Sequence, residues 1–108
     1  MKKAVDRYTY RVTWSDEDNE YVGLCAEFPS LSWLESEPGA ALTGIRKLVR
    51  NVVSDLKRSQ EPIPEPISTR PYSGKFMVRV PPEVHRLLVI QAAESGVSLN
   101  RLVSSKLS

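Results

Sequence analysis

Residues 74–107 read GKFMVRVPPEVHRLLVIQAAESGVSLNRLVSSKL, and this stretch decides the fold, because it describes a strand and two helices that cannot close a core alone. Lys75, Met77 and Arg79 alternate with Phe76, Val78 and Val80, the period of two that sends successive side chains to opposite faces. One face is apolar and the other carries the cations. Pro81 and Pro82 have no N–H to give a ladder, and Pro82 suits the first turn of a helix, where donors lack an acceptor in any case. From Glu83 to Ser95, the residues Val84, Leu87, Leu88 and Ala92 recur at helical spacing, and Gly96 supplies a left-handed stop. Ser98 caps a second helix that turns Leu99, Leu102, Val103 and Leu107 inward. A lone strand exposes unpaired backbone groups, and two short helices do not cover its apolar face. The unit is expected to pair with a second copy through Phe76, Val78 and Val80.

The run F-x-V-R-V-P-P-E-V from Phe76 to Val84, followed by G-V-S-L-N from Gly96 to Asn100, resembles the ribbon-helix-helix fold of Arc- and MetJ-type repressors. The resemblance covers residues 74–107. It implies that two chains pair their strands into an antiparallel ribbon lying in the DNA major groove. By position, Lys75, Met77 and Arg79 would face the groove, and Ser98, Leu99 and Asn100 would hold a phosphate at the start of the last helix. Met77 departs from relatives that commonly place a polar residue such as Asn there, and methionine offers a base only apolar contact. Charges on a half-exposed strand are usually just solvated; the Pro-Pro-Glu helix start and the Gly-Val-Ser-Leu-Asn turn favour DNA contact here.

Composition bounds the remainder. A chain of 108 residues with 41% hydrophobic composition holds one ordinary domain or two very small ones, and small cores favour oligomers. The net charge of +2 is unevenly placed. Residues 1–58 carry nine Lys/Arg and nine Asp/Glu, whereas residues 70–108 carry six Lys/Arg against two Asp/Glu, so the basic portion is the one with the DNA-binding pattern. Cys25 is the only cysteine, which excludes an intramolecular disulfide and fits a reducing, cytoplasmic location. No export signal, membrane span or internal repeat is read.

Earlier in the chain, Arg7 to Trp14 alternates Tyr8, Tyr10, Val12 and Trp14 with polar residues, as a half-buried strand does. The acidic run 16–20 turns the chain. Tyr21 to Phe28 alternates again, with Val22, Leu24, Ala26 and Phe28 on one side and Tyr21, Gly23, Cys25 and Glu27 on the other. Leu31 to Leu34 suits a third strand, and Ser36 with Pro38 marks a helix start. That helix carries Leu42, Ile45, Leu48, Val49, Val52, Val53 and Leu56 on one stripe, able to cover one sheet face. Four prolines between Ser59 and Ser73 predict an extended, semi-rigid spacer. The fold class is α+β: a β-β-β-α domain over 1–58, a proline-rich linker over 59–73, and a dimerising β-α-α unit over 74–108.

The whole arrangement is similar to the HicB family of antitoxins. In the first module the resemblance rests on WSDEDNEYVGLCAEFPSLSWL, from Trp14 to Leu34, and on A-L-x-G-I-R-x-L-V, from Ala41 to Val49. It implies a homodimer or higher oligomer whose first domain, a partial ribonuclease-H-like fold, blocks a small RNA-cleaving toxin of the HicA type. Its second domain would bind operator DNA and repress its own operon. The toxin-contacting residues are not legible; the sheet face opposite the helix, or the hairpin edge, is the expected place.

Catalysis is not expected. Ribonuclease-H chemistry needs carboxylates converging on metal ions, and the first strand has none. Asp16, Glu17, Asp18 and Glu20 crowd a turn, where such residues serve solubility and turn formation. His85, the only histidine, is read as a surface residue, and Cys25 as a small strand residue without redox duty. No cofactor or metal is called for. The alternative from another class is a stand-alone ribbon-helix-helix regulator whose first module senses a small molecule or protein.

Overall fold

The structure, a computed structural model, describes residues 3–108, which divide into two compact units, one ending at Tyr72 and one beginning at Ser73. In the first, a short 3-10 turn (Ala4–Arg7) leads into β1 (Tyr10–Ser15), β2 (Glu20–Cys25), β3 (Ser32–Glu35) and α1 (Pro38–Arg58). The strands form an antiparallel sheet in the order β1-β2-β3, with Val12 opposite Gly23 and Gly23 opposite Trp33. Asn19 adopts the left-handed φ of 54° that closes the hairpin, a conformation asparagine tolerates better than most residues.

The sheet turns its other side to the helix than the side-chain pattern suggests. Gly23 and Cys25 are buried under α1, while Val22 and Leu24 stand on the open face, half-buried. The reason is close approach. A Cβ on Gly23 would lie 2.5 Å from the Ala41 carbonyl oxygen and 2.8 Å from Ile45 Cγ2, so only glycine lets the helix backbone reach the strand. Across the interface, the Trp33 indole lies flush against Gly44. The buried line of α1 is accordingly Ala41, Gly44, Ile45, Val49 and Val53; Leu42 is exposed and Leu48, Val52 and Leu56 are half-buried, a rotation from the expected stripe. Ile45 and Val49 are fully buried, each worth about 1.5 to 3 kcal/mol.

The first strand begins later than the alternation implied, at Tyr10, because the preceding residues turn back to close the core with Val5 and Tyr8. Tyr10 Oη donates to the Val5 carbonyl at 2.8 Å, Arg46 pairs with Asp6 at 2.9 Å, and the Arg46 guanidinium sits 5.1 Å above the Tyr10 ring. Burial raises the Tyr10 phenol to about 12, with the nearby Cys25 adding to the rise and Arg46 opposing it.

The expected spacer does not hang free. Gln60, at φ 55°, stops α1 while Glu61 N–H donates to the Leu56 carbonyl at 2.9 Å, a Schellman closure. Beyond it, Ile63 packs on the core and Pro66 is buried. Tyr8 Oη donates to the Pro64 carbonyl at 2.7 Å, Ser68 Oγ to the Arg7 carbonyl at 2.6 Å, and Ile67 N–H to Glu27 Oε2 at 2.9 Å. Residues 61–72 therefore form a strap docked on the first unit. Glu27 ties three segments, also accepting the Thr9 N–H at 2.8 Å and the Cys25 thiol at 3.5 Å. Burial works to raise the Glu27 carboxyl, but the Ile67 and Thr9 N–H donors prevail and hold it below its ordinary 4.5.

In the second unit, α2 (Pro82–Ser95) and α3 (Leu99–Leu107) pack on each other around the buried Ala92. Gly96, at φ 67°, ends α2 while Val97 N–H donates to the Ala92 carbonyl at 3.1 Å. The strand expected over 74–80 is not formed: Lys75 to Val80 have no regular secondary structure in the single chain. A strand is defined by its ladder, and one chain offers this segment no partner.

Gly23→Ala is expected to destabilise the first unit by about 1 to 3 kcal/mol, since the neighbour in its way is helix backbone, and denaturant unfolding checks it. Glu27→Gln tests the strap. The depressed carboxyl of the wild type contributes stability that is complete above about pH 4.5 and is lost as the pH falls below it, so the wild type weakens in that range while Glu27→Gln stays flat. Near neutral pH the variant should be less stable by about 1 kcal/mol, with faster amide exchange at Ile67.

Candidate nucleic-acid and partner interfaces

The residues proposed to face DNA or a second chain are exposed along one short segment. Phe76 is 75% exposed, Met77 85%, Val78 64% and Val80 43%. Lys75 and Arg79 are exposed as well, and neither is in an ion pair among the described residues. Gly74, at φ 82°, swings the chain into the segment, and Lys75 N–H donates to Ser73 Oγ at 3.1 Å. At its far end Pro81 is extended, with φ −58° and ψ 146°, and its carbonyl accepts from Val84 and His85 N–H as α2 begins. Apolar surface of this kind in four residues of five is unusual on a soluble chain that acts alone.

At the start of α3, Ser98 Oγ accepts the Arg101 N–H at 3.1 Å, and the Ser98 carbonyl accepts from Leu102. The cap thus uses the serine side chain internally. Leu99 and Asn100 occupy the first turn, whose N–H groups have no intrahelical acceptor. Asn100 is exposed and Leu99 half-buried against the helix pair. Within one chain the structure brings Ser98, Leu99 and Asn100 together at a single helix end and Lys75, Met77 and Arg79 along a single segment, the two groups separated in sequence by the whole of α2.

The first unit offers a different surface. Opposite α1 the sheet presents Arg11 and Thr13 from β1, Val22 and Leu24 from β2, and Ser32 and Leu34 from β3, as the register requires. Leu34 is 42% exposed. A shallow depression of about 240 Å³ opens beside this face, lined by Thr9, Arg11, Leu24, Cys25, Ala26 and Pro29. Burial pushes the Cys25 thiol up, which keeps it protonated and unreactive beside Glu27. Sequence reasoning placed the helix on this unit but not on this side of the sheet; the signal that could have told is Gly23, the only residue of β2 without a side chain.

Asp16, Glu17 and Asp18 are exposed in the hairpin turn, where Ser15 Oγ donates to Asp18 Oδ2 at 2.8 Å. Among the described residues no three His, Cys, Asp or Glu side chains gather as metal ligands would, and no helix is long and apolar enough to cross a membrane.

Comparison with known proteins bears on the second unit and the strap. Residues 58–107 match the HicB family. The match supports membership of that family. It runs from the last residue of α1 to the last of α3, so it includes the docked strap, the exposed alternating segment and both helices of the second unit, and it leaves the sheet outside. No curated protein and no solved structure gives a match.

Proposed function

We propose that this protein is the antitoxin of a type II toxin–antitoxin pair, which binds and neutralises a HicA-like, RNA-cleaving toxin and represses its own operon. The observation that carries the reading is the HicB-family match over residues 58–107, a stretch that contains an exposed segment alternating apolar residues with Lys75, Met77 and Arg79. Burial of Phe76, Val78 and Val80 is then the drive to dimerise, since each such side chain is worth about 1.5 to 3 kcal/mol when removed from water. Two segments paired antiparallel form a ribbon with its cations on one face, fit for the major groove. Arg79 is the base reader, Lys75 a phosphate contact, and the first turn of α3 at Ser98, Leu99 and Asn100 a second phosphate contact.

The open face of the first-unit sheet is the proposed toxin contact, because Val22, Leu24 and Leu34 lie there uncovered while the opposite face is filled by α1. The chain acts by binding rather than by catalysis. Its turn carboxylates at 16–18 are exposed, Asp16 accepting from the Trp14 indole and Asp18 from Ser15 Oγ, and they do not gather as metal ligands would.

Co-expression with a HicA-like toxin, sought in the open reading frame next to the gene, tests the proposal: wild type should restore growth, and Leu34→Asp, on an exposed position, should lose protection while keeping the wild-type unfolding midpoint. Failure of the wild type to protect would leave a stand-alone regulator. For the DNA half, Arg79→Ala should cost about 1 to 3 kcal/mol of operator affinity and relax preference at one base pair per half-site. Met77→Asn should shift preference toward adenine, and wild-type affinity should fall steeply with salt as counterions are released. Equal, salt-independent binding by all of these would remove the segment from DNA.

A further inference from the structure

The outer side of α1 is cationic and carries no carboxylate. The helix holds Arg46, Lys47, Arg50, Lys57 and Arg58 against a single acid, Asp55. Arg58 pairs with Asp55 and Arg46 with Asp6, which leaves Lys47, Arg50 and Lys57 exposed and in no ion pair among the described residues. Helical spacing places these three and Ser54 within a sector of about 80°, along about 15 Å of the axis. The helix dipole accounts for cations in a last turn, such as Lys57 and Arg58, but not for Lys47 and Arg50 farther back. The unit as a whole is not basic: residues 1–58 carry equal numbers of cations and acids, and many of the acids fall in the hairpin stretch 16–20. Charge is segregated here rather than spread.

Between Arg50 and Lys57 the helix borders a depression of about 100 Å³. Lys3 and Ser54 line it with these two cations, beside the apolar Val53 and Ile63, and no carboxylate takes part. Such a place suits a phosphate group, since cationic and hydroxyl donors surround one anion and apolar walls strengthen the attraction.

Charge and polarity narrow the occupant. A second copy of this side would set like charges against each other. A protein interface needs apolar or aromatic anchors at its centre, and the exposed residues here, Thr43, Lys47, Arg50, Asn51, Ser54 and Lys57, include none. A phosphodiester backbone asks only for a row of cations and hydroxyls, and duplex DNA presents about nine charges over about 15 Å. We propose that the outer side of α1, through Lys47, Arg50, Ser54 and Lys57, is a DNA-backbone contact of the first unit, additional to any made by the second. The choice of duplex DNA rests on the reading of the second unit as DNA-binding. In sequence only Ser73 and Gly74 separate Tyr72, the last residue of the first unit, from Lys75, so a duplex held at Lys75 stands at high effective concentration for the first unit. The contact leaves the opposite face of the sheet open for a toxin.

The test uses the full-length chain and a fluorescein-labelled duplex of mixed sequence, with anisotropy titrations at several salt concentrations. Arg50→Gln combined with Lys57→Gln should weaken low-salt binding about tenfold and reduce the slope of log affinity against log salt by about 2 for each bound chain, while the unfolding midpoint stays that of the wild type. Arg50→Lys combined with Lys57→Arg, which keeps both charges, should restore the slope. Adding Glu17→Lys to the double glutamine variant returns the net charge to the wild-type value at a distant exposed site and should not restore binding; recovery there would show that net charge and not this side of α1 matters, and overturns the proposal. A slope unchanged by the double glutamine variant overturns it too, as does tighter binding of a single-stranded RNA of the same length than of the duplex. Lys75→Gln combined with Arg79→Gln separates the two units: if this variant alone lowers the slope, the α1 contact fails and DNA binding by the second unit stands, whereas loss in the α1 variant alone supports the α1 contact and removes the 75–79 segment from DNA. Absence of duplex binding by the wild type overturns both.

Discussion

The contact between α1 and β2 at Gly23 is the constraint from which the first unit follows. With only hydrogen at that position, the Ala41 carbonyl approaches the strand, and the helix is drawn down until Ala41, Ile45, Val49 and Val53 form the buried line. The close fit is matched across the interface by Gly44 beneath Trp33. Once this side of the sheet is committed to the helix, alternation along the strands leaves Val22, Leu24 and Leu34 on the other. The apolar character of the open face is thus a consequence of where a glycine stands, not of a shortage of helix to cover it.

A second consequence is that the core needs closing at its ends. Val5 and Tyr8 close one end, and the strap closes another with Ile63. Prolines at 62, 64 and 66 make this strap inexpensive to order, because an extended proline-rich chain has little conformational freedom to lose. Glu27 then supplies what prolines cannot, an acceptor for the remaining backbone donor at Ile67, and holds Thr9 with the same carboxylate. A segment that reads as a tether is in physical terms part of the first unit, and the change of unit falls after Tyr72.

The second unit shows the opposite condition. Its helices are well terminated, by Gly96 and by the Ser98 cap, and yet among its residues only Ala92 is buried. Local signals are satisfied while the apolar surface is left in solvent. The family match falls on this unit and on the strap, and apolar residues are exposed on both sides of α2.

The sequence by itself determined what depends on near neighbours. Both long helices begin at prolines and end at residues in the left-handed conformation, and these boundaries, with the hairpin and the short third strand, were legible because caps, turns and periodicity are local effects. The alternating segment 75–80 and its cations were likewise legible, though not as a formed strand, since pairing is a property of two segments. Tertiary structure alone decided which face of the sheet is covered. Alternation distinguishes two faces without ranking them, and the pair Gly23 and Cys25 outranked the larger Val22 and Leu24 because helix backbone must fit somewhere. It also decided the rotation of α1 that leaves Leu42 in solvent, and the docking of the proline strap through Glu27, forty residues from Ile67 in sequence. Such choices depend on contacts between distant residues, and no periodicity within a short window carries them.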